Sequence, residues 1–250
     1  MESPVGRIPW FDYLTSEPSK AQKFHAALFG WTTQRLQMLT GDVVTAIVSG
    51  GRIIGGYAPP LAGTPVYRFS EQWSRWLPHL QIYNAHESAG KVKTHSAKIV
   101  KEPTPFLDIG RFAIGTDPNG QAFGLIQPTK QAEDTGWGGG PNTFCWAELY
   151  TLSPGSSVNF YKTIGGFTET KNQLPDGTYH MLEKDGAPRA GVRTPMKGTQ
   201  PGWFAWVRVP DLIGTANKAL QMESTFIMPP ANGMALLVDP WGATFGLAQA

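Results

Sequence analysis

The sequence predicts an α+β fold of two tandem domains, each built from two βαβββ modules. Three observations carry that prediction. An opening signature, WFDYLTSEPSKAQKFHAALFGW at 10–31, returns 136 residues later as WAELYTLSPGSSVNFYKTIGGF at 146–167, with Trp10/Trp146, Thr15/Thr151, Pro18/Pro154, Phe24/Phe160 and Gly30/Gly166 identical. A closing signature, DPNGQAFGLIQ at 117–127, returns as DPWGATFGLAQ at 239–249, identical at seven of eleven positions. Between the two signatures, each copy runs twice through a strand, a helix and three more strands. The boundaries drawn from this are a first domain at 1–128, a Gly-containing linker at 129–140 with GWGGG near its end, and a second domain at 141–250.

Each element has a local reason. Residues 8–15 alternate as a strand, with Trp10, Asp12 and Leu14 on one face and Phe11 and Tyr13 on the other. Glu17-Pro18 starts a helix with proline at its first position, Ala21, Phe24, Ala27 and Leu28 follow at helical spacing, and Gly30 stops it. The second copy repeats this with Ser153-Pro154, Val158, Phe160, Tyr161, Ile164 and Gly165-Gly166. Glycine turns then separate three strands, at about 33–39, 43–49 and 53–58 in copy one. In copy two the matching strands are one before Pro175-Asp176-Gly177, then 178–183 and 189–193. Past the connectors at 59–72 and 194–202, WLPHLQI at 76–82 aligns with WFAWVRV at 203–209. Helices over 85–95, capped by Asn84, and 213–222, after Asp211, come next, then three short strands.

Composition narrows the function classes. A formal charge of +2, with 16 % charged residues and no basic stripe, argues against a nucleic-acid partner. No apolar run approaches the roughly 20 residues of a spanning helix, and the N-terminus has no secretory pattern, so a soluble cytoplasmic protein is expected. The single cysteine, Cys145, excludes an intrachain disulfide and a cysteine-cluster metal site. The glycines of GGRIIGG bound a strand and do not open a helix, which speaks against a phosphate loop.

The paired βαβββ modules, the helix ending ALFGW and the DPxG-xxFGL closing together resemble the vicinal oxygen chelate superfamily of glyoxalases, bleomycin-resistance proteins and extradiol dioxygenases, over roughly 8–127 and 143–249. The resemblance implies glyoxalase-like domains in which eight strands curl into a half-open barrel around a cavity. Metal-dependent members carry one ligand on the first and one on the last strand of each module. Those positions fall here on Trp10, Gly55-Gly56, His79 and Gly124 in copy one, and on Trp146, Ala190-Gly191, Trp206 and Gly246 in copy two. Only His79 is retained, while a divalent ion needs three or more N/O donors, so no metal and no other cofactor are expected.

Other residues must then do the work. His79 and Asp12 are the candidate catalytic pair, each read as an acid–base group in an aromatic-lined cavity or else as a residue satisfied by its neighbours. Candidate ligand-binding residues are Trp10, Gln81, Trp146, Glu148, Trp206 and Arg208. The tryptophans at vacated metal positions make either a stacking surface or a plug. Arg208 recognises an anionic ligand group or else pairs with Glu148. Arg189 and Arg193 are expected to face solvent. Of Tyr179 and His180, adjacent on one strand, only one can see the cavity; His25, His86 and His95 fall on helices as surface or packing residues. The expectation is a glyoxalase-like protein that binds a small, planar or aromatic molecule without metal and with acid–base chemistry by His79 and Asp12. A drug-sequestering protein of the bleomycin-resistance type is the alternative, and a metal-dependent lyase or dioxygenase is less favoured. The chain is expected as a monomer with paired domains or as a homodimer.

Overall fold

The computed structural model describes residues 5–38, 41, 43–61, 74–106, 109–129, 137 and 139–250. Most of the connector at 59–72 and of the linker at 129–140 lies outside these residues, as do Leu39 and Asp42 of the early turn. Copy one comprises β1 (Trp10–Leu14), α1 (Pro18–Phe29), β2 (Thr32–Gln37), β3 (Val43–Ser49), β4 (Arg52–Ala58), β5 (Arg75–Gln81), α2 (Ala85–Thr94), β6 (Lys98–Phe106), β7 (Gly110–Thr116) and β8 (Ala122–Pro128). Copy two comprises β9 (Phe144–Tyr150), α3 (Pro154–Gly165), β10 (Thr168–Leu174), β11 (Gly177–Lys184), β12 (Ala187–Arg193), β13 (Gly202–Val209), α4 (Leu212–Gln221), β14 (Thr225–Ala231), β15 (Met234–Val238) and β16 (Thr244–Gln249). Each copy forms one eight-stranded mixed sheet, ordered β2-β3-β4-β1-β5-β8-β7-β6 and β10-β11-β12-β9-β13-β16-β15-β14. The repeat therefore does mark two α+β domains of the same topology.

Local chemistry explains the helix boundaries. Pro18 and Pro154 start α1 and α3, and Gly30 and Gly166 end them in the left-handed conformation, with φ of 67° and 64°, that glycine adopts without strain. Asn84 caps α2 by accepting from the His86 and Glu87 N–H groups, and Asp211 caps α4 by accepting from Gly214.

In each sheet the two modules meet where the first strand lies antiparallel to the fifth. Trp10 stands opposite His79 in β1–β5, and Trp146 opposite Trp206 in β9–β13. The fifth strand runs parallel to the eighth, placing His79 beside Gly124 and Trp206 beside Gly246. Three of the family's metal positions are thus neighbours at the centre of each sheet.

The two sheets share one hydrophobic core. Phe11, Tyr13 and Trp76 of copy one belong to the same cluster as Phe144, Ala147 and Leu149 of copy two. Phe11 and Phe144 lie 4.5 Å apart between ring centroids. The helices pack reciprocally: Phe24 on α1 meets Trp241 at 5.6 Å, and Phe160 on α3 meets Phe123 at 5.5 Å. His25, on α1, is buried here with Nδ1 3.0 Å from the Tyr57 hydroxyl, and burial pushes its pKa down to about 3.

The DPxG turns tie this interface together. Asp117 Oδ1 accepts from the Asn119 and Gln121 N–H groups at 2.9 and 2.8 Å, and Asp239 Oδ1 accepts from Trp241 and Ala243, both at 2.9 Å. The second carboxylate oxygen crosses to the other domain. Ser157 Oγ donates to Asp117 at 2.7 Å, and the Tyr13 hydroxyl donates to Asp239 in a short hydrogen bond. Burial raises the pKa of Asp239 to about 6 despite these donors.

A raised carboxylate pKa contributes stability that is complete below the unfolded value and lost as pH rises through about 6. Tyr13→Phe removes the cross-domain donor from a carboxylate that is ionised at pH 8. We expect a loss of roughly 1.5–3 kcal/mol at pH 8 and less at pH 5, read as urea midpoints. Equal midpoints for wild type and variant at pH 8 would remove the hydrogen bond from the account of domain pairing.

Candidate functional site

On β1 the alternation puts Trp10 and Asp12 on the same face, and β5 brings His79 across to them. Asp12 accepts two hydrogen bonds: Trp10 Nε1 donates to Oδ1 at 2.8 Å, and His79 Nε2 lies 2.8 Å from Oδ2. The structure thus joins three of the sequence-predicted residues into one unit. The imidazole is closed off, with 4 % of its side chain exposed against 16 % for Asp12, so the carboxylate is the group a ligand can reach. His79 Nδ1 is buried without a hydrogen-bond partner.

Glycines make room for this unit. A Cβ on Gly124 would lie 2.3 Å from His79 Nδ1, and one on Gly56 would lie 2.9 Å from Asp12 Oδ1 and 3.0 Å from Trp10 Cζ2. The remaining inner surface is apolar, formed by Leu14, Met38, Leu77, Phe106, Phe112 and Ile114. Phe106 meets the Trp10 ring edge-on at 5.4 Å. Gln81 is buried two residues beyond His79; its backbone accepts from Gly6 and donates to Arg7.

The four family metal positions of copy one therefore carry an indole, two glycines and one imidazole already engaged with Asp12. Among the described residues no three His, Cys, Asp or Glu side chains are grouped to hold a metal ion. This donor set does not fit a divalent cation, which takes three or more protein N/O ligands or an equivalent oxygen cage.

Copy two builds a different centre at the same positions. Trp206, which replaces His79, donates from Nε1 to Glu148 Oε2 at 2.9 Å. Trp146, which matches Trp10, donates to the Tyr179 hydroxyl at 2.9 Å. The glycines again sit under rings: Cβ atoms on Gly246 and Gly191 would come within 2.1 Å of Trp206 Cδ2 and 1.8 Å of the Tyr179 hydroxyl oxygen. Tyr179 is therefore the member of its pair that faces the centre, while His180 Nδ1 turns to Glu169 at 2.7 Å. Glu148 is 5 % exposed, and burial raises its pKa to about 7, against the smaller opposing effects of the Trp206 hydrogen bond and the Arg193 charge.

The arginines are placed differently from the sequence expectation. Arg208 does not pair with Glu148; its Nη1 donates to the Gly139 carbonyl at 2.8 Å. It lies toward the end of β13, past a register shift between Trp206 and Val207, where the chain before β9 supplies carbonyl acceptors. Arg193 takes the place expected of Arg208, beside Glu148, over the Tyr150 ring at 5.9 Å and ion-paired with Asp176 at 2.5 Å. Arg189 and Arg193 are buried, at 2 % and 9 % exposure, and do not face solvent. The signal for Arg193 was its spacing: two residues after Gly191, it shares that glycine's face of β12.

No family model matches the chain. It is 27 % identical over 257 residues to a protein of Mycobacterium bovis named "Putative glyoxylase CFP32", covering 98 % of this chain and 95 % of that one. It is 25 % identical over 262 residues to the anthracycline biosynthesis protein DauV of a Streptomyces species, covering 98 % and 93 %. Among solved structures, homoprotocatechuate 2,3-dioxygenase from Arthrobacter globiformis superposes with a TM-score of 0.68 at 12 % identity, over 100 % of this chain and 81 % of that one.

Proposed function

Proceeding from a vicinal oxygen chelate fold in two tandem copies, we propose that the first half binds a small, planar, largely apolar molecule against Asp12 and acts on it by acid–base chemistry without a metal. The observation that carries this reading is the carboxylate of Asp12, fixed at 2.8 Å by both Trp10 and His79 as the reachable polar group of an apolar surface. Asp12 is the base that takes a proton from the ligand and returns it to another ligand atom. His79 is its positioning residue, and Trp10 offers an indole face for stacking. Proton transfer of this kind serves a lyase, isomerase or hydrolase step. The name of DauV, from the biosynthesis of a fused-ring aromatic class, supports a planar ligand.

Sequestration without turnover is the second reading, favoured by the engagement of both central carboxylates with tryptophan N–H groups. A thermal-shift screen of planar aromatic metabolites, followed by turnover assays on any binder, separates the two. We expect Asp12→Asn to reduce turnover by roughly 10²–10⁴-fold while leaving binding largely intact. Binding with no turnover by the wild type selects sequestration. A stoichiometric divalent ion whose removal abolishes turnover overturns the metal-free reading.

A further inference from the structure

Arg193 stands between two carboxylates in unlike settings. Its Nη2 is ion-paired at 2.5 Å with Asp176, whose side chain is 52 % exposed in the turn that joins β10 to β11. Its Nε is buried and has no hydrogen-bond partner. Glu148, the second carboxylate, is buried on the same face of the sheet. The parallel register sets Glu148 beside Gly191 and Tyr150 beside Arg193, so Arg193 is two residues, about 6.6 Å of strand, from the position next to Glu148.

Among the described residues, the titratable groups around Glu148 are Arg193 from β12, Tyr179 from β11 and Tyr150 on its own strand, with Asp176 acting through Arg193. From β13 the Trp206 N–H reaches it. Burial pushes both tyrosine hydroxyls well above their ordinary range, so neither ionises near neutrality. Glu148, held up at about 7 by its own burial, is the member of this group whose charge changes there. An exposed ion pair such as Arg193–Asp176 is weak because water screens it, whereas a buried carboxylate, once charged, interacts strongly with a nearby cation. The charge on Glu148 therefore decides which carboxylate holds the guanidinium.

We propose that Arg193 is a pH-operated latch: with Glu148 neutral it clips the β10–β11 turn through Asp176, and when Glu148 ionises it draws inward to that carboxylate and frees the turn. The freed strand β11 carries Tyr179, whose hydroxyl lies over Gly191 at the centre of copy two. The latch thus sets how firmly that centre is covered. Copy one has no counterpart, because Ala58 stands beside Leu14 where Arg193 stands beside Tyr150.

Hydrogen–deuterium exchange of the full chain at pH 6 and pH 8, corrected for the intrinsic pH dependence of amide exchange, tests it. We expect protection of 168–184 to fall about tenfold from pH 6 to pH 8, while β2 and β3 of copy one keep theirs. Asp176→Asn, at an exposed position, should give the low protection at both pH values, and Glu148→Gln the high protection at both. If Glu148→Gln folds poorly, the wild-type and Asp176→Asn profiles decide alone. The proposal is overturned if wild-type protection of 168–184 is the same at both pH values, or if β2 and β3 lose as much. It is equally overturned if Asp176→Asn still shows the full change, or if a folded Glu148→Gln protein keeps the fall.

Discussion

Gly246→Ala is expected to destabilise the protein by about 3–5 kcal/mol, a fall of roughly 10 °C in Tm for a chain of this length. The added Cβ would stand 2.1 Å from Trp206 Cδ2 and 2.3 Å from Cε3, inside the ring and not at the end of a flexible chain. The indole cannot move away without breaking its hydrogen bond to Glu148. Two costs therefore combine: overpacking in a filled core, and a buried carboxylate stripped of its donor. Gly155→Ala, on α3 with open space at its Cβ, is the control and should be neutral or slightly stabilising. Thermal and urea unfolding of both variants check the contrast. A Gly246→Ala protein melting within a degree of wild type would mean that the Trp206 ring is not locked over that strand.

Glu148→Gln should flatten the stability profile of the protein between pH 5 and 8. The folded pKa of Glu148 is raised from 4.5 to about 7. Its contribution is therefore fully present below 4.5 and lost as pH rises through 7, because ionisation costs the folded state more than the unfolded one. At about 1.4 kcal/mol per unit, the shift corresponds to roughly 3 kcal/mol. Glutamine keeps an oxygen for Trp206 Nε1 and carries no charge, so the variant should be the more stable protein at pH 8 and close to wild type at pH 4.5. Asp239 adds a slope of the same sign up to about pH 6 in both proteins, and the difference between the two profiles isolates Glu148. Parallel profiles would show that Glu148 titrates as an ordinary carboxylate.

The two-copy fold was legible in the sequence because its signals are local and repeated. Pro18/Pro154 and Gly30/Gly166 fix helix ends through backbone geometry alone, and the DPxG turns close on their own N–H groups. Strand alternation likewise placed Trp10 and Asp12 on one face, the resemblance put His79 at a family ligand position, and the structure joins all three. What alternation could not supply was the partner of each polar group across strands. Arg208 and Glu148 share a face by parity, but a register shift in β13 and the carbonyl of Gly139 redirect the guanidinium. Arg193 was missed because a charged residue near a turn reads as solvent-facing until the strand pairing shows Gly191 beside Glu148. The role of Tyr13 was equally hidden: its acceptor, Asp239, is 226 residues away. The glycines at the vacated positions could be named from the sequence, but that neighbouring rings lie over them depends on side-chain packing between strands.

The exchange of carboxylates between the domains uses tyrosine as the donor on one side and serine on the other. Two identical chains related by a two-fold axis could not do this, since symmetry would oblige both contacts to be the same. Covalent joining of the copies lifts that obligation. It also holds two unlike barrel centres, one around Asp12 with a histidine and one around Glu148 with a second tryptophan, in a fixed one-to-one ratio that no mixture of separate subunits would guarantee.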